Sequence, residues 1–110
     1  MDVQLRSKDA VNDPLDEVLE SENNKAVVVN LLACATYAYL RLHHYTEALQ
    51  CANAALAEAP DHAPSLMLRA LVRFLNKDCR EPEQARVDIE EALSLRPGRE
   101  EYESLKKRIE

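Results

Sequence analysis

The side chains best suited to metal or nucleophilic chemistry are His43, His44 and His62 with Cys34, Cys51 and Cys79. A metal site needs ligands at a spacing that converges on one point, with carboxylate or thiolate help. His43 and His44 are adjacent and leave a helix end on different sides, His62 belongs to the next turn, and the cysteines are odd in number with no CxxC spacing. Neither a zinc site nor a disulfide framework is expected; His43 is read as complementing the dipole at a helix C-terminus. The acidic pairs Glu90-Glu91 and Glu100-Glu101 stand next to each other in sequence, so on a helix their carboxylates diverge into solvent. With Gly98 as the one glycine there is no phosphate-cradling loop, and no GxSxG or Cys/His pattern occurs. No catalytic residue, metal or cofactor is expected, and the chain reads as a non-enzyme. Arg69 and Arg73, one helical turn apart, could receive a carboxylate from a partner. The plainer reading gives them solvent or a nearby acidic side chain, since surface pairs are worth little.

Whatever these side chains do, helices must carry them. In 110 residues, 46% of them apolar, there is room for one domain with one modest core. Alanine, leucine, glutamate and arginine recur throughout, while β-branched residues gather at Val27-Val28-Val29, which is the composition of helices joined by short turns. The most apolar stretch, Ala26 to Leu40, is broken by Asn30, Thr36 and the tyrosines, so no membrane span is expected. The start, Met1 to Arg6, lacks the basic-then-apolar pattern of a secretion signal, which makes a cytosolic or nuclear home the default and the cytoplasm the expected location. Of the net charge of −6, residues 1–24 hold −5, from two basic against seven acidic side chains. The remainder is nearly neutral with no basic stripe, which disfavours a nucleic-acid partner.

The strongest organisational signal is an internal repeat. Ala48, Ala55, Leu56 and Pro60 return as Ala85, Ala92, Leu93 and Pro97, each displaced by 37 residues, whereas upstream Leu32 and Thr36 match Leu66 and Ala70 at a displacement of 34. The difference puts a three-residue insertion near Asp78-Cys79-Arg80-Glu81. Alanines seven apart fall on one helical stripe and allow close helix approach, and each proline stops the helix before it. Asp13 and Pro14 would start a short helix carrying Leu15, Val18 and Leu19, after which Asn23 or Asn24 would cap a long helix beginning near Lys25. Past the Pro97-Gly98 turn, Tyr102, Leu105 and Ile109 give a final helix one apolar side, as a cap over the end of a stack requires.

Leu32, Thr36, Tyr39, Tyr45, Ala48, Ala52, Ala55, Leu56 and Pro60 resemble the tetratricopeptide repeat, a 34-residue helical hairpin. A second unit keeps Leu66, Ala70, Ala85, Ile89, Ala92, Leu93 and Pro97, but has Arg69 and Arg73 on its first helix and Pro82 where the turn aromatic usually lies. The resemblance implies an all-α fold of two hairpins, about 29–62 and 63–97 within a 25–97 body. An acidic segment, 1–24, precedes it, and a capping helix, 98–110, follows. It further implies that the first helix of each hairpin lines a concave wall that binds peptides. That wall comprises Asn30, Ala33, Tyr37, Leu40 and Arg41 from one unit and Met67, Leu71, Phe74 and Leu75 from the other. So apolar a wall fits an amphipathic helix or an extended apolar peptide. Cys34, Pro64 and Leu68 stand where relatives that grip chaperone tails place asparagine and basic residues, which argues against that ligand. The expected function is thus an adaptor or scaffold for protein–protein interaction. The alternative is a self-associating homodimer, its groove covered by a second copy or by its own Leu15, Val18 and Leu19.

Overall fold

A computed structural model describes residues 22–77 and 81–110 of the chain. Among them are five helices and no strand: α1 (Glu22–Arg41), α2 (Tyr45–Glu58), α3 (Ala63–Leu75), α4 (Pro82–Leu95) and α5 (Glu100–Ile109). The expected short helix around Asp13 to Leu19 lies outside the described residues. α1 pairs with α2 and α3 with α4 as helical hairpins; α3 also packs on both α1 and α2, and α5 closes over α4 and α3. No helix among the described residues is long and apolar enough to cross a membrane.

The repeat read from the sequence has a structural counterpart. α2 and α4 are both 14 residues long and start 37 residues apart. They end on closely similar backbone angles, φ −139° and ψ 87° at Ala59 against φ −134° and ψ 76° at Arg96. Each of these residues precedes a proline, which disfavours the α region and turns the chain out of the helix. α1 and α3 end 34 residues apart, at Arg41 and Leu75. The connection between α1 and α2 is residues 42–44 and that between α3 and α4 is residues 76–81, so the three extra residues fall where the two displacements place them.

α1 starts earlier than expected. Asn23 and Asn24 do not cap it but lie within it, because nothing from Glu22 to Lys25 is a helix breaker and an asparagine costs only a few tenths of a kcal/mol there. α1 ends in a Schellman turn: the His44 N–H donates to Tyr39 O at 2.9 Å and the His43 N–H to Leu40 O at 3.0 Å. His43 sits at φ 63° where glycine is usual, and its Nδ1 lies 2.9 Å from the Tyr45 hydroxyl.

The seam alanines Ala48, Ala55, Ala85 and Ala92 are all completely buried. The larger core cluster joins Leu56, Leu66, Ala70, Ile89, Tyr102 and Leu105, and the smaller one Leu40, Ala48 and Val72. Leu71 borders both, which makes α3 the spine of the molecule. Buried Thr36 donates its hydroxyl to Leu32 O at 2.8 Å, so its polarity is satisfied inside α1.

Candidate functional site

α1 and α3 carry the nine wall residues, and the two helices pack directly on one another. Two of the nine are buried and present no surface to a partner: Ala33, and Leu40, which clusters with Ala48 of α2 and Val72 of α3. Met67, Leu71, Phe74 and Leu75 are half-buried, their inner edges packed against the core clusters. Asn30, Tyr37 and Arg41 are exposed. The Arg41 guanidinium donates to the Tyr37 hydroxyl at 3.0 Å and lies 5.8 Å from the centre of its ring, so the pair forms one semi-rigid unit. Arg108 of α5 lies 5.6 Å from the centre of the Phe74 ring. Of the nine residues, then, four on α3 offer half-buried apolar side chains, and three on α1 are polar or aromatic and exposed.

Asn30 is tied to a residue absent from the sequence-based set. Its Oδ1 lies 3.1 Å from His62 Nε2, while His62 Nδ1 lies 2.7 Å from the hydroxyl of fully buried Ser65. The neutral ring satisfies both contacts by donating from Nε2 and accepting at Nδ1. Burial, and next the nearby Arg96 charge, hold His62 below the ordinary histidine value of 6.5 against a smaller opposing pull from Asp61. Asn30 and His62 border an open cleft of ≈ 460 Å³ that Lys25, Val29, Glu58 and Arg96 also line. Nothing local in the sequence marks this link, because its partners are 32 residues apart.

Arg69 and Arg73 follow the plainer of their two readings. Arg69 donates from Nε and Nη2 to the two carboxylate oxygens of Asp88, each at 2.9 Å, and from Nη1 to Asn53 Oδ1 at 2.9 Å. Arg73 Nη1 donates to Asp88 Oδ2 at 2.9 Å. Its Nε lies 3.3 Å from Glu81 Oε1, close enough for charge attraction but not oriented to form a hydrogen bond. The hydrogen bonds to Asp88 raise Arg69 above its usual value, more than burial lowers it. Both guanidiniums are thus committed to joining α3 to α4, with Asn53 bringing in α2.

A different apolar surface escaped the sequence-based reading. Val27, Leu31 and Leu42 are 52%, 63% and 62% exposed, with Cys34 and Ala38 exposed between them. Their intervals of four, three, four and four residues put them on one side of α1 and its C-terminal turn, opposite buried Val29, Ala33, Thr36 and Leu40. The signal was in the sequence: residues 26–40 contain no charged side chain, so α1 is apolar on two faces. Comparison with protein-family models and with curated proteins finds no match for this sequence.

Proposed function

We propose that the chain is a cytoplasmic adaptor of the tetratricopeptide kind, which holds a segment of another polypeptide and performs no catalysis. The observation that carries the reading is the half-exposed row Met67, Leu71, Phe74 and Leu75 on α3, together with the exposed Tyr37-Arg41 pair on α1, a helix that packs on α3. A half-buried apolar row with an exposed polar, aromatic pair suits an amphipathic helix: apolar side chains three and four residues apart meet the row, and Tyr37 and Arg41 supply stacking and hydrogen bonds. Arg69 and Arg73 contribute to the scaffold rather than to the grip.

The test is affinity capture from native extract with the intact chain, a Tyr37→Glu chain and a Phe74→Glu chain, each first shown by circular dichroism to keep its helix content. A charge at either position is expected to reduce partner recovery by roughly tenfold or more, as the loss of an interface anchor does. Recovery of the same proteins by all three chains would remove the wall as the site.

A further inference from the structure

Among the described residues, the two ends of the hairpin stack are finished differently. At one end α5 covers α4 and α3 with buried Tyr102 and Leu105 and turns Glu100, Glu101, Glu103, Lys107 and Arg108 to solvent. At the other end α1 shows Val27, Leu31, Cys34, Ala38 and Leu42, with no charge among them. A helical stack is water-compatible when its terminal faces are polar, so an uncharged terminal stripe is a candidate contact surface.

We propose that this stripe is the contact between two copies of the chain, joined about a two-fold axis that crosses α1 near Cys34 with the two α1 helices antiparallel. The stripe's own layout selects that occupant. Its ends, Val27 and Leu42, are equidistant from a point between residues 34 and 35. A two-fold axis there sets Leu31 against the partner's Ala38 and Ala38 against the partner's Leu31, a large side chain on a small one on both sides of the axis, while Val27 meets the partner's Leu42 at either end. The small residues Cys34 and Ala38 at the centre let the helices approach closely, and the antiparallel arrangement opposes their dipoles favourably. Charge disfavours the nearest competitor: residues 1–21 carry a net −4, and the stripe residues include no cation to attract them. A second copy brings the same uncharged surface at the same spacing. α1, with 20 residues, is roughly 30 Å long, and one such helix pair lies at the small end of specific interfaces, so a reversible dimer is expected.

The experiment is sedimentation velocity of the full chain, under reducing conditions, over about 1 to 100 µM, the range in which mass action populates such a dimer. A concentration-dependent dimer is expected. Leu31→Glu, at an exposed position where the fold tolerates it, should raise the dissociation constant by roughly tenfold or more, the effect of burying an unpaired charge in a contact. Phe74→Glu should leave the dimer unchanged. As an independent readout, a chain carrying Cys51→Ser and Cys79→Ser is treated with copper–phenanthroline and dioxygen. The two Cys34 thiols give up two electrons and two protons to the oxidant, and rapid conversion to a disulfide-linked dimer is expected, slowed at least tenfold by adding Leu31→Glu. A chain still monomeric at the highest concentration overturns the proposal and leaves the stripe to residues 1–21 or to another protein. A dimer indifferent to Leu31→Glu, or one abolished by Phe74→Glu alone, overturns it by placing the contact elsewhere.

Discussion

At the scale of single residues, the most consequential side chain is Asp88. Its carboxylate is 3% exposed and receives both Arg69 and Arg73, whose side chains keep 21% and 17% of their exposure. Two cations drawn toward the interior depend on one anion, so removing the anion leaves charge behind that water reaches only in part. Asp88→Ala is expected to destabilise the fold by about 3 kcal/mol, the low end for breaking a buried pair, because the guanidiniums retain some solvent access. Urea unfolding followed by circular dichroism checks this, and a loss below about 1 kcal/mol, the worth of an exposed pair, would show the cluster to be a surface feature. The sequence offered Arg69 and Arg73 as a close pair but gave no reason to single out Asp88 from the many acidic residues. Its position 19 and 15 residues away becomes meaningful once α3 and α4 are antiparallel.

At the scale of elements, α2 and α4 were the most legible parts of the chain. Alanines at a spacing of seven and a closing proline are both local signals, and both helices end where those prolines require. The fully buried Ala48 predicts that Ala48→Leu will cost about 1–3 kcal/mol by overpacking the seam between α2 and its neighbours, measured as a drop in denaturation midpoint with unchanged cooperativity. α1 was harder to read. With apolar residues on every side, its pattern identifies a helix without saying which face turns inward, so the wall absorbed Ala33 and Leu40 and missed the outer stripe. For α3 the same set of residues serves core and surface together: Met67, Leu71, Phe74 and Leu75 each have one buried edge and one open edge, a division that residue type does not encode.

At the scale of the whole molecule, the hairpins are joined by apolar packing and by polar links, among them Arg69–Asn53 between α3 and α2 and Asn30–His62–Ser65, which ties the middle of α1 to the start of α3. Folding favours the neutral His62 ring, so the folded chain binds its proton less readily than the unfolded chain does. This contribution to stability is fully present above the ordinary value of 6.5 and is lost progressively as the pH falls below it, toward the lowered folded value. Urea midpoints measured between about pH 7.5 and pH 5.5 should fall more steeply for the natural chain than for His62→Gln, which keeps a polar side chain but does not titrate. Parallel slopes for the two chains would assign the pH response to other groups.

The near-identical corners at Ala59 and Arg96 carry a consequence for length. The chain leaves α2 and α4 in the same local direction, so each corner is a standard joint, and whatever follows it is launched along a comparable path. Splicing a further copy of residues 63–97 behind Pro97 should therefore grow the array by one unit per copy, with α5 carried along as its lid. Such a series would turn this small scaffold into a ruler whose reach is set by counting copies.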